Sequence, residues 1–148
     1  MNLLLGIGNR RHGDDALGPV FARSFRSPGW FCRDASTAPE NFTGLVRRFH
    51  PDFLVLLDAA NLGAPPGTLR VVAPKLVSSA VFGTHAGSIG QLADFLSDCA
   101  GHIFIVGIQP AGINPGARLS PPVRLALRQL ANMLADNPAR LSADCWLP

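Results

Sequence analysis

The segment Phe53-Leu54-Val55-Leu56-Leu57-Asp58 sets five apolar residues in unbroken succession and closes them with one acid. Strict alternation would mark a strand with one wet face. An unbroken run instead marks a strand covered on both faces, as in a parallel sheet between helices. Asp58 then stands at the strand's C-terminal end, the side on which open α/β sheets bind ligands.

Upstream of this strand, Phe42, Leu45, Val46 and Phe49 recur at i, i+3, i+4 and i+7, the stripe of an amphipathic helix, with Arg47 and Arg48 on its wet face. Trp30 to Arg33 reads as a shorter strand. Leu3 to Gly8 is an apolar run that stops in the turn Gly6-Ile7-Gly8-Asn9, and it supplies the first strand. Proline is tolerated only in a helix's first turn, so Pro19 predicts a helix from near Gly18 to about Arg26, with Asp14 and Asp15 at its mouth.

Downstream, Ala64-Pro65-Pro66-Gly67 is a turn, Thr68 to Val72 a fourth strand, and a long loop then carries His85. Ser88 and Gln91 have capping-box spacing at the head of a helix bearing Ile89, Leu92, Leu96 and Cys99. His102 to Ile108 is the fifth strand. After the Pro- and Gly-rich loop from Gln109 to Gly116, Ser120 and Pro121 open a helix with Val123, Leu127, Leu130 and Leu134 on one face, and residues beyond Asn137 read as a tail. Strands alternating with helices predict one α/β domain over residues 1–148, with a parallel or mostly parallel sheet and helices on both faces.

A hydrophobic fraction of 47% with only 16% charged residues specifies a globular chain. The net charge of +3 is not gathered into any run longer than Arg10-Arg11 or Arg47-Arg48, so a nucleic-acid partner is not expected. No cation precedes Leu3-Leu4-Leu5 and Gly6 interrupts it, so neither a signal peptide nor a membrane segment is expected, and the chain reads as cytoplasmic. Cys32, Cys99 and Cys145 are odd in number and widely spaced, which fits buried thiols better than disulfides or a zinc site.

Asp15, after the first strand, and Asp58, ending the third, fall on the same side of the sheet, and His85 lies in a loop entering a helix. Two carboxylates and an imidazole suit a borderline divalent metal such as nickel or zinc, and three ligands leave open positions. Each residue has a plainer explanation: helix capping has an equal claim on Asp14, a loop amide could occupy Asp58, and His85 could be an idle loop residue. Their joint placement is what favours a site. If the site exists, the three side chains must lie within about 8 Å of one another, since metal–ligand bonds are near 2 Å. His12 reads as a solvated loop residue rather than a further ligand.

Gly6, Gly8 and Gly13 invite comparison with a dinucleotide fingerprint, with Asp34 placed as a ribose-binding acid. That pattern needs glycine where Arg11 stands, and Asp14 and Asp15 put negative charge where a pyrophosphate should meet the helix N-terminus. No H-E-x-x-H pair, G-x-S-x-G elbow or P-loop lysine is present.

Gly6-Ile7-Gly8-Asn9 followed by Gly13-Asp14-Asp15-Ala16-Leu17-Gly18-Pro19 resembles the opening signature of the nickel-iron hydrogenase maturation endopeptidases. Ala38-Pro39-Glu40-Asn41, Asp58-Ala59, Thr84-His85 and Gly107-Ile108-Gln109-Pro110 resemble the branch that processes the large subunit of hydrogenase 3, the formate-hydrogenlyase type. The resemblance implies a three-layer α/β/α sandwich around a five-stranded, mostly parallel sheet. It implies an endopeptidase that trims the C-terminal extension from a large-subunit precursor already loaded with nickel. The family's nickel-contacting residues land on Asp15, Asp58 and His85, with zinc or cadmium able to substitute. Asp15 and Asp34 are the candidate catalytic carboxylates, and either a metal-activated carbonyl or water or a carboxylate base could drive the hydrolysis. Two departures stand out: Ala35 and Ser36 follow Asp34 where the family usually has glycines, and Ala16 replaces a frequent glycine. A hydrogenase-specific binding or chaperone module without proteolysis is the alternative from a different class.

Overall fold

The computed structural model describes residues 1–141. The run 53–58 forms the middle of the sheet. Strand β1 (Asn2–Ile7) leads through a 3-10 turn (Gly13–Ala16) into α1 (Leu17–Ser24), then β2 (Trp30–Ser36), a 3-10 turn (Pro39–Phe42), α2 (Thr43–Phe49) and β3 (Phe53–Ala59). Strand β4 (Leu69–Val72) is followed by the short α3 (Ser79–Phe82), a 3-10 turn (Gly83–His85), α4 (Ala86–Phe95), β5 (His102–Ile108) and α5 (Pro121–Asp136).

The strand order is β2-β1-β3-β5-β4. β1 is parallel to β2 and β3, and β3 is parallel to β5, with Leu3 opposite Leu54 and Phe53 opposite His102. β4 alone runs antiparallel, pairing Leu69 with Ile108 at the sheet edge. The link from β3 to β4 is too short for the helical crossover that a parallel neighbour requires. Mostly parallel is therefore the right description.

Alternate residues of the central strands feed two separate cores. Leu4, Val55, Leu57, Val106 and Ile108 pack under α1 and α5 with Phe21, Phe25, Leu127, Leu130 and Leu134. Leu3, Leu5, Leu54, Leu56 and Ile105 pack under α2 and α4 with Val46, Ile89, Leu92 and Leu96. The apolar run in β3 thus serves both faces, and the sheet lies between two helical layers.

Several boundaries differ from those read in the sequence. α1 stops at Ser24, because Phe25 turns extended and buries its ring beside Phe21. β2 continues to Ser36, because pairing with β1 as far as Ile7 outweighs the weak strand preference of Asp34, Ala35 and Ser36. α4 begins at Ala86 rather than Ser88, as a continuation of the Gly83–His85 turn, and no side chain caps it. The tail is packed as far as Leu141, which is fully buried in the core under α1 and α5. Cys99 is buried and Cys32 only half-buried, while Cys145 lies outside the described residues.

Candidate functional site

β1 and β3 end side by side, and the first turn after β1 is shaped by Gly8 at φ 141°. A Cβ there would fall 2.0 Å from the carbonyl oxygen of Asp15, so only glycine lets the following turn fold back over the strand end. The turn is closed by Asp15 N–H donating to the His12 carbonyl at 3.0 Å. Asn9 N–H donates to Asp15 Oδ2 at 2.9 Å and fixes the carboxylate over the sheet edge.

Asp58 shares the parity of Leu54 and Leu56 on β3, so it faces the α2 and α4 layer. His85, at the entrance to α4, meets it there: Nδ1 lies 2.9 Å from Asp58 Oδ2. Asp58 is 1% exposed, and its Oδ1 is buried without a hydrogen-bond partner among the described residues. Burial pushes the Asp58 carboxyl up to about 7, against the opposing pull of His85. The hydrogen bond to Asp58 raises His85 above its ordinary value, with the negative charges of Asp58 and Asp15 adding to it. A proton is therefore held between two atoms that are both metal-ligand types.

Asp15, Asp58 and His85 each offer one ligand atom within 4.8 Å of the others. This is well inside the separation that a shared ion allows. The donor set fits a divalent cation of intermediate softness, and a cation would satisfy the orphaned Asp58 Oδ1.

Asp14 points elsewhere. Its buried carboxylate accepts from Ala111 N–H, Ser120 N–H and Ser120 Oγ, so it neither caps a helix nor joins the trio. Ser120 correspondingly marks the start of α5 but spends its hydroxyl on Asp14. Asp34 stands at the neighbouring strand end, 3.2 Å from Arg23 Nε and 3.8 Å from Arg10 Nε, and accepts from Ser36 N–H. His12 is outside the trio among the described residues. Sequence reasoning assigned no role to two positioning groups: the Asn9 amide on Asp15, and Gln109, whose Oε1 accepts from Leu62 N–H at 2.6 Å and steadies the chain after β3. Both sit in motifs, Gly-Ile-Gly-Asn and Gly-Ile-Gln-Pro, that were legible only as patterns.

Comparison with known proteins identifies the family and the fold. A family described as hydrogenase maturation protease matches residues 21–137. The hydrogenase 3 maturation protease of Escherichia coli K12 is 28% identical over 137 residues, covering 90% of this chain and 88% of its own. The solution structure of the Escherichia coli endopeptidase HycI superposes with a TM-score of 0.80 at 27% identity, covering 91% of this chain and 89% of its own. The crystal structure of the [NiFe] hydrogenase maturation protease HycI from Thermococcus kodakarensis gives 0.78 at 27% identity, covering 91% and 90%. These matches displace the dinucleotide reading, and the chain belongs to the hydrogenase maturation protease family of endopeptidases.

Proposed function

We propose that this chain removes the C-terminal extension from the nickel-loaded precursor of a nickel-iron hydrogenase large subunit, with Asp15, Asp58 and His85 engaging the nickel that the substrate carries. The observation that carries this reading is the convergence of the trio within 4.8 Å around an unpartnered, buried carboxylate oxygen. Asp15, Asp58 and His85 would hold nickel there, where it would supply positive charge and would make recognition conditional on a loaded substrate. Zinc or cadmium suits the same donors.

The chain's own residues divide the remaining work. Asp58 and His85 are buried or nearly so and hold one proton between them, so a cation enters by displacing that proton. Asp15 is the more accessible acid and is oriented by Asn9, which makes it the better-placed carboxylate to accept a proton from an attacking water. Asp34, held by two arginines, is assigned to the shape of the neighbouring rim. A cytoplasmic site of action is part of this reading. Among the described residues no helix is long and apolar enough to cross a membrane.

The decisive experiment incubates nickel-loaded precursor with wild type, His85→Ala and Asp15→Asn and follows the precursor's mass, with metal-free precursor as control. Loss of a C-terminal peptide with wild type alone, and from loaded precursor alone, is the expected result. Binding without cleavage by wild type would mean a non-proteolytic hydrogenase-binding module instead.

A further inference from the structure

Every residue from Ala111 to Arg118 is exposed, yet this stretch is firmly attached. Both of its ends converge on the buried carboxylate of Asp14. At one end, Ala111 and Gly112 N–H groups donate to Asp14 Oδ2 at 2.8 and 3.4 Å. At the other, Ser120 N–H donates to Oδ1 and Ser120 Oγ to Oδ2, each at 2.7 Å. The body of the loop is braced as well: Asp14 N–H donates to the Gly112 carbonyl, Gly116 N–H to the Arg11 carbonyl, and Ala117 N–H to the Asn114 carbonyl. A surface loop whose ends meet and whose interior is tied down is an Ω-loop, a form that frequently carries function. Burying a carboxylate to 1% exposure costs desolvation, and here that cost is met by four hydrogen bonds devoted to holding one exposed loop in place.

The loop displays Ile113, 56% exposed, and the exposed Arg118, and its Gly116 N–H bonds it to the carbonyl of the exposed Arg11. Neither Arg11 nor Arg118 forms an ion pair among the described residues, whereas Arg10 is engaged by Asp34. An apolar side chain on a braced loop, accompanied by two exposed arginines that form no ion pair among the described residues, matches a partner segment that carries an apolar residue beside carboxylates. The loop packs on the backbone of Gly13 and Asp14, in the same 3-10 turn that carries Asp15, so it adjoins the element that presents a residue of the candidate metal site.

We propose that the 111–118 loop, stapled by Asp14 and flanked by Arg11, is the docking element through which the chain grips its protein substrate, accepting an apolar side chain with acidic neighbours. The inference rests on the protease reading above and adds to it the surface that holds the precursor outside the metal trio.

The test compares Ile113→Glu and the double variant Arg11→Glu/Arg118→Glu with wild type and with Arg48→Glu, a charge reversal at an exposed residue near the C-terminus of α2. Precursor binding by biolayer interferometry, KM and kcat for cleavage, Ni²⁺ affinity and Tm are measured for each. The loop variants should raise Kd and KM by about tenfold or more, with kcat within about twofold and with Ni²⁺ affinity and Tm unchanged, while Arg48→Glu matches wild type. Unchanged Kd and KM in both loop variants, with wild type cleaving, overturns the docking assignment and leaves the protease reading intact. Loop-dependent binding by a wild type that never cleaves supports the docking element and overturns the protease reading. A wild type that neither binds nor cleaves overturns both.

Discussion

Asp58 Oδ2 lies 2.9 Å from His85 Nδ1, while Asp58 Oδ1, on the same buried carboxylate, has no partner among the described residues. One oxygen shares a proton and the other waits for a donor or a cation. Metal entry must therefore release a proton, and affinity must rise with pH. The apparent Kd for Ni²⁺ is expected to fall by at least about tenfold from about pH 6 to about pH 8. Calorimetry in two buffers of different ionisation enthalpy should register the released proton directly. A pH-independent Kd would mean that the ion binds without displacing the Asp58–His85 proton.

The same pair makes the metal-free protein sensitive to alkali. Asp58 titrates near 3.8 in an unfolded chain and near 7 in the fold, so the folded state holds the extra proton between those values and loses stability as pH rises through them. His85 is raised above 6.5, so its contribution is complete below 6.5 and is lost as pH climbs through its folded value. Because the pair shares one proton, these are two descriptions of a single effect, and both give it the same direction. Without metal, the Tm of wild type relative to Asp58→Asn should decline from about pH 5 to about pH 8. At the upper end Asp58→Asn should be the more stable protein, since it removes a buried charge. Parallel Tm curves for the two proteins would refute this account.

Neighbouring aspartates should fail in different ways. Asp14→Ala removes a buried carboxylate and with it the acceptor of the Ala111 and half-buried Ser120 amides, and should cost about 2–4 kcal/mol of stability. Amide exchange should accelerate in residues 111–120. Asp15 is partly exposed and Asp15→Asn loses little packing, so its stability should stay within about 1 kcal/mol of wild type while cleavage is abolished. Equal stabilities for the two variants would undercut the division of labour drawn between them.

The fold was readable where the pattern was driven by burial. The run 53–57 announced a strand covered twice, and α2 and α5 showed their stripes, because those choices are made by apolar side chains. The trio was readable because Asp58 interrupts an apolar strand and Asp15 follows a Gly-rich turn. Backbone hydrogen bonding across distant segments was not. The extension of β2 depends on β1, the start of α4 depends on a 3-10 turn, and the role of Asp14 depends on amides about a hundred residues away. No local periodicity encodes such partners, so Ser120 looked like a cap when its hydroxyl serves Asp14.

Asp34 offers a sharp comparison with Asp15, since both are acids at adjacent strand ends. Arg23 and Arg10, its partners, are largely solvated, so the ion pairs add at most about 1 kcal/mol. Asp34→Ala should therefore unfold at nearly the wild-type temperature and reduce kcat by no more than about tenfold, the scale of a disturbed rim rather than a lost base. Loss of activity by a factor of about a thousand in Asp34→Ala, with KM unchanged, would transfer the base role from Asp15 to Asp34.

Gly8 ties the fold to the chemistry. It has φ 141°, and a Cβ there would meet the Asp15 carbonyl oxygen at 2.0 Å and stand 3.5 Å from Asp58 Oδ1. A methyl group would have to push the Gly13–Ala16 turn away from the strand end, taking Asp15 with it. Gly8→Ala should thus cost at least about 3 kcal/mol and weaken Ni²⁺ binding. Gly29→Ala is the matched control: φ is 83°, but the space around it is open, so only backbone strain of about 1 kcal/mol is expected and metal binding should be unaffected. Thermal denaturation and Ni²⁺ titration of both variants separate steric displacement of Asp15 from the general penalty of a left-handed residue. Wild-type affinity in a folded Gly8→Ala protein would show that Asp15 is not held in place by this contact.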